Sequence, residues 1–389
     1  MVMLFAAVGL LSWRVLAQPA SAHTRSQSRG KVAAGHKGAG HAKAAAKPTT
    51  TTTKPSPPPP FKVTSVSPRN GSTGVGGETP ITVSFSTPVA LSGRLPSVSP
   101  SVPGSWVRDG ARTLAFRPGG AYVPDSKVTV TIPTGVRARD GAQLAHPVVD
   151  HFSVTHGSVV RLQQLLSLLD YSPLAWRPSG TPLSPTDTAA QLRAAFHPPA
   201  GNFYWRQKGW PSNLTSLWHP GTYNVMVKGL VMSFEADHAL TVDGIAGPHV
   251  WATLLSALAN HQLNTGGYNY ALASETQPES LTIWHNGKVV FHSPANTGIA
   301  ASPTAPGTFP VYERLRSQVM RGTNPNGSHY ADPVQYVAYF NGGDAVHYIA
   351  RADYGIPQSL GCVELPLKAA AKAWPWLAYG TLVTVTPPA

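Results

Sequence analysis

The hydrophobic pattern of this chain changes period twice, which divides it into three folded segments. From about Phe61, apolar and polar residues alternate in short runs: Ile81-Thr82-Val83-Ser84-Phe85, Thr113-Leu114-Ala115-Phe116, Val128-Thr129-Val130-Thr131-Ile132 and Phe152-Ser153-Val154-Thr155. Gly, Pro and Asn turns separate the runs. A period of two buries one face of each strand, and strands this short and this evenly spaced predict a β-sandwich. From Ser158 the period becomes helical, with Leu162, Leu165, Leu166 and Leu169 on one apolar stripe. Further helices are predicted over residues 225–238 and 248–258. Pro248 suits the first turn of the latter, which turns Trp251 and Leu254 inward. From Tyr268 strands return. Residues 280–284 and 288–292 flank Asn286-Gly287, a two-residue hairpin turn. Strands are also predicted at 308–312, 334–340, 345–349 and 381–386, with one short helix at 367–374.

The 36 Gly and 38 Pro, against 12% charged residues, suit short strands, turns and linkers rather than long surface helices. A formal charge of +13 suggests a nucleic-acid partner until its distribution is considered. Arg25, Arg29, Lys31, Lys37, Lys43, Lys47 and Lys54 lie between His23 and Pro60 with no acidic residue among them. That segment, residues 23–60, reads as a disordered, basic, Pro-rich linker attracted to anionic polymers such as a cell envelope. No nucleic-acid-binding motif accompanies it. The apolar start, followed by Ala20-Ser21-Ala22, reads as a signal peptide or membrane anchor over residues 1–22, so the chain is expected to be exported to the wall.

Cys362 is the only cysteine. It cannot form an internal disulfide, and outside the cytosol a free thiol is unusual unless it is used. It stands in Ser359-Leu360-Gly361-Cys362-Val363-Glu364, fifteen residues after His347 on a predicted strand. A thiol and an imidazole brought together by folding form a nucleophile–base pair. No His-Glu-x-x-His or comparable ligand set occurs, so neither metal nor cofactor is expected.

Three resemblances follow from the motifs. Val63-Thr64-Ser65-Val66-Ser67-Pro68, followed by Asn70-Gly71-Ser72 and Pro80, resembles the opening of bacterial Ig-like domains. Arg161-Leu162-Gln163-Gln164-Leu165 and the stretch from Phe234 to Trp251, with Val242-Asp243-Gly244-Ile245-Ala246-Gly247-Pro248, resemble the peptidoglycan-binding type-1 domain. An insertion at 172–223 carrying Trp176, Trp205, Trp210 and Trp218 interrupts it. These tryptophans read as a packed cluster rather than as sugar platforms. Residues 268–387 resemble the L,D-transpeptidase (YkuD) catalytic domain through Asn286-Gly287-Lys288, Asn296-Thr297-Gly298, Thr304-Ala305-Pro306-Gly307-Thr308-Phe309, Ala345-Val346-His347, Ser359-x-Gly361-Cys362-Val363 and Tyr379-Gly380-Thr381.

The resemblances imply a multidomain protein: an Ig-like β-sandwich at 61–156, a small three-helix bundle with an insertion at 157–262, and a β-rich catalytic domain at 268–387. They imply Cys362 as nucleophile and His347 as general acid/base. The backbone N–H groups of Leu360, Gly361 and Cys362 would serve as oxyanion hole, and the Tyr348 carbonyl would orient the histidine. Ser359, Tyr330 and Arg351 are the expected substrate contacts. The implied reaction cross-links peptidoglycan stem peptides (3→3) through a thioester, with water as a possible alternative acceptor. The family usually carries His or Lys at position 360, Arg or Asn at 364, and often Gly at 348, where this chain has Leu, Glu and Tyr. An anion at 364 is expected to raise the thiol pKa and repel a substrate carboxylate, with Arg351 or Arg314 as compensating cations. These departures keep a second reading open, a wall-binding structural protein with a degenerate catalytic domain.

Overall fold

A computed structural model describes residues 59–388. The segment expected at 1–22 and the linker expected at 23–60, apart from its last two residues, lie outside the described residues. Among those described, no helix is long and apolar enough to cross a membrane.

Eight strands form the first folded segment: β1 Val63–Ser67, β2 Ser72–Val75, β3 Ile81–Phe85, β4 Ser97–Ser99, β5 Gly104–Arg108, β6 Thr113–Pro118, β7 Lys127–Ile132 and β8 Val148–Val154. They make two four-stranded sheets, ordered β1-β3-β6-β5 and β2-β8-β7-β4. Alternation determines the core. Ile81, Val83 and Phe85 from one sheet meet Val128, Val130, Ile132 and Phe152 from the other, all essentially without solvent contact.

The helical segment holds α1 Val159–Leu168, β9 Leu174–Pro178, α2 Thr188–Ala194, β10 Gly201–Trp205, α3 Ser212–Thr215, α4 Val225–Asp237 and α5 Pro248–Ala259. The leucine stripe of α1 is buried, Asn224 Oδ1 caps α4 by accepting from the N–H groups of Met226 and Val227, and Pro248 occupies the first turn of α5. The insertion is structured: β9 and β10 pair as an antiparallel ribbon, and Asp187 caps α2. Trp205, Trp210 and Trp218 pack on the helical core, and Trp176 on β9 is buried.

The three helices α1, α4 and α5, where a small bundle with an insertion is expected, share their core with the last segment. Their cluster continues through Tyr268, Tyr270 and Leu382 of the last segment. At the seam, a Cβ on Gly229 of α4 would lie 2.6 Å from the Gly380 carbonyl oxygen, and one on Gly380 would lie 2.1 Å from that of Gly229. Glycine is required on both sides of so close a backbone approach. Ser233 Oγ donates to the Tyr379 carbonyl at 2.9 Å across the same seam.

The last segment contains β11 Asn269–Ser274, β12 Ser280–His285, β13 Lys288–Pro294, β14 Gly307–Pro310, β15 Glu313–Thr323, β16 His329–Asn341, β17 Asp344–Tyr348, β18 Val363–Leu365, α6 Leu367–Ala373 and β19 Leu382–Thr386. Two sheets, β13-β12-β11-β19-β14 and β15-β16-β17-β18, enclose a core to which Ala370 and Ala373 of α6 contribute. Asn286 and Gly287 both have positive φ, as the predicted two-residue turn requires. The long β15–β16 hairpin extends well beyond the strand expected at 334–340. Most of β15 is solvent-accessible on both faces, so it carries no apolar alternation to read.

Candidate active site

Cys362 immediately precedes β18, which runs parallel to β17. Val363 pairs with Val346 and Glu364 with His347. Positions two apart share a face, so Cys362, Glu364 and His347 lie on the same side of this pair. Strand spacing and rise put the Cys362 and His347 Cα atoms roughly 8 Å apart, within side-chain reach. Both border one cavity of about 900 Å³, together with Tyr330, Tyr339, Asp332 and Asp344.

The turn that presents the thiol is braced from below. The Ser359 and Gln358 N–H groups both donate to the Thr297 carbonyl at 2.9 Å, and Ser302 Oγ donates to the Leu360 carbonyl at 3.0 Å. Glu364 and Asn296 exchange backbone hydrogen bonds. Beneath this layer, Glu279 is 1% exposed and accepts from Thr297 through its N–H and its hydroxyl. Gly361 has φ +123°, and a Cβ there would lie 2.4 Å from Asp344 Oδ1. The turn therefore admits only glycine.

Several expected roles change in detail. Ser359 is buried, donates to the Cys362 carbonyl at 2.6 Å and accepts the Gly361 N–H at 3.1 Å. It holds the turn and does not face a substrate. The same bond occupies the Gly361 N–H, which corrects its place in the oxyanion hole. The N–H groups of Leu360 and Cys362 are taken up by no turn or loop hydrogen bond and are the available donors. Arg351 lines the cavity, but its Nε and Nη2 are committed to Glu364 at 2.8 and 2.6 Å, so it is not a free substrate contact. Arg314 lies elsewhere, stacked 4.1 Å over Trp374. Tyr330 does border the cavity beside the thiol.

Burial pushes the Cys362 thiol up to about 12; the Ala345 N–H opposes this, and the Asp344 and Glu364 carboxylates add to it. His347, 2% exposed, is held below the ordinary imidazole range chiefly by burial. The Tyr348 carbonyl and the Glu364 and Asp332 carboxylates pull it upward, while Arg351 acts with burial. The Tyr348 carbonyl is thus near the ring, yet Nδ1 has no hydrogen bond of good geometry. Sγ lies 3.8 Å from the Gly343 carbonyl oxygen and makes no hydrogen bond to His347. The resting pair is a neutral thiol and a neutral imidazole, each loosely held. Catalytic hydrogen bonds in free enzymes often tighten only when substrate arrives.

Among the described residues, no three His, Cys, Asp or Glu side chains gather as a metal site. Sequence reasoning did not assign Asp332, Asp344, Tyr339 or Glu279. Asp332 shares the alternation of Tyr330, which was the one signal available.

Residues 57–155 match the bacterial Ig-like domain, and residues 269–385 match the L,D-transpeptidase catalytic domain. No curated protein matches the chain. Among solved structures, an L,D-transpeptidase from Mycobacterium smegmatis is similar at 15% identity, covering 84% of this chain and 100% of that one, with a TM-score of 0.29. L,D-transpeptidase 3 from Mycobacterium tuberculosis, in complex with a faropenem-derived adduct, gives 15%, 83%, 97% and 0.29 for the same measures. The NMR structure of the catalytic domain of the E. faecium L,D-transpeptidase gives 24%, 30%, 96% and 0.28.

Proposed function

We propose that this chain is an exported, cysteine-dependent L,D-transpeptidase that cross-links peptidoglycan stem peptides through a thioester. The observation that carries the reading is the juxtaposition of Cys362 and His347 on one face of β17–β18, at a shared cavity within the matched catalytic domain. In this reading His347 accepts the thiol proton as Sγ attacks the carbonyl carbon of the third stem residue. Because the free thiol and imidazole are both neutral, proton transfer and attack proceed together rather than from a preformed ion pair. The oxyanion is received by the N–H groups of Leu360 and Cys362. The C–N bond to the terminal D-Ala breaks, and His347 returns its proton to the departing amine. A side-chain amine of a second stem then resolves the thioester and leaves a 3→3 cross-link; water in its place gives L,D-carboxypeptidase activity. The Ig-like sandwich carries no catalytic constellation and acts as a spacer. Peptidoglycan is the proposed partner, with wall attachment assisted by the basic segment and the helical region.

The test is intact mass after incubation with a carbapenem, alongside D-Ala release from a tetrapeptide stem. A Cys362-dependent adduct and D-Ala release are expected. A second reading, a non-catalytic wall-binding protein, is favoured by the raised thiol pKa and the anion at Glu364. Absence of both adduct and release would establish it.

A further inference from the structure

Five charged side chains other than histidine border the Cys362 cavity: Arg321, Asp332, Asp344, Arg351 and Glu364. Glu364 and Arg351 neutralise one another. Asp344 is consumed by the nucleophile turn: its carboxylate abuts Gly361 and accepts from Asn341 Nδ2 at 3.3 Å and from the Ala305 N–H. The Asp332 carboxylate differs from both: among the described residues it makes no side-chain hydrogen bond and no ion pair, and reaches Arg351 and His347 only through its field. It is half-buried on β16, where Tyr330, Asp332 and Val334 occupy alternate positions and all face the cavity. Val334, 1% exposed, packs in the cluster that includes Cys362. Asp332 lies one strand repeat further out, roughly 7 Å along the chain. An unpaired, partly desolvated carboxylate at this depth favours a cationic ligand.

We propose that Asp332 receives the acceptor of the transfer reaction as a primary ammonium and so selects an amine over water. The inference rests on the transferase reading above. The side of the cavity identifies acceptor rather than donor. The free N–H groups of Leu360 and Cys362 fix the acyl carbonyl at the nucleophile turn, whereas Asp332 projects from the facing hairpin. It is close enough to His347 for its charge to act on the ring, and the incoming nucleophile must surrender a proton to that ring. The bound ammonium gives one proton to His347. The resulting amine attacks the thioester carbonyl, the C–N bond forms and the C–S bond breaks. The leaving thiolate takes the proton held by His347, and the second amine proton passes to solvent, leaving an amide and the free thiol.

The test uses the full chain with a tetrapeptide donor and a stem peptide bearing a side-chain amine, and measures by mass spectrometry how the acyl-enzyme divides between aminolysis and hydrolysis. Asp332→Asn is expected to lower that ratio about tenfold or more, the loss of one charge-assisted contact, while carbapenem acylation of Cys362 falls much less than transfer does. Asp332→Glu should restore part of the ratio. An unchanged ratio overturns the proposal. So does a parallel fall in acylation and transfer, which would place the effect on His347. Absence of any acyl-enzyme in the unsubstituted protein would overturn the transferase reading itself, and the proposal with it.

Discussion

Arg351 grips Glu364 with two parallel hydrogen bonds, Nε to Oε2 at 2.8 Å and Nη2 to Oε1 at 2.6 Å, one strand away from His347. Glu364 is 3% exposed, and Arg351 is its ion-pair partner. Arg351→Ala is expected to destabilise the protein by about 3 kcal/mol, the low end for breaking a buried pair because the arginine is itself partly exposed. Urea denaturation measures this. Glu364→Gln, which removes the charge but keeps the shape, should cost less.

The thiol should behave as a poorly ionised group in the free protein. With its pKa pushed up to about 12 by burial and by the Asp344 and Glu364 carboxylates, its iodoacetamide alkylation rate is expected to climb about tenfold per pH unit from pH 7 to 9 without levelling. A plateau below pH 9 would contradict the burial argument. Asp344→Asn removes a carboxylate that raises the thiol pKa, so alkylation at fixed pH should be faster.

Gly361→Ala places a methyl group against Asp344 in a backbone conformation that side chains disfavour. The expected cost is about 1–3 kcal/mol of strain, together with loss of carbapenem acylation. Retention of normal acylation with unchanged thermal stability would show that the turn tolerates a side chain.

Glu235, fully buried in α4, accepts from the N–H groups of Asp243 and Gly244 through Oε2 and leaves Oε1 without a partner. Burial pushes its carboxyl up to about 7, against the opposing effect of those N–H donors. Its folded-state pKa therefore lies above the unfolded value. Between about pH 4.5 and pH 7 the unfolded chain ionises while the folded group keeps its proton, so stability falls as pH rises and levels off above 7. Glu235→Gln should flatten that part of the pH–stability curve. Denaturant midpoints at pH 5, 6, 7 and 8 give the comparison.

The sequence was most legible where one local rule decided the outcome. Ile81-x-Val83-x-Phe85 alternates because one sheet face is buried, Asn286-Gly287 turns because both residues tolerate positive φ, and Pro248 starts a helix. The placement of Cys362 and His347 at one cavity was likewise legible, since strand position and spacing carried it. What stayed hidden depends on who accepts from whom across the fold. The engagement of the Gly361 N–H by Ser359 is a local Ser turn two residues long, whereas the capture of Arg351 by Glu364 and the absence of an ion pair at Asp332 are tertiary facts. The shared core of the helices and the catalytic sheet was hidden for a related reason. Tyr268, Tyr270 and Leu382 read as ordinary strand residues, and nothing in their pattern says which layer they cover.

The mutual approach of Gly229 and Gly380 has a bearing on how such a chain can be recombined. Neither position can gain a side chain, and a change at one offers no relief to the other, because each would strike its partner's carbonyl. A crossover between residues 262 and 268 looks harmless on a linear map, yet it would separate two halves of one packed surface. Exchanged catalytic segments should therefore fold only when they bring a glycine to the Gly380 position and a matching helix to receive it, so the two segments have to be exchanged as a pair.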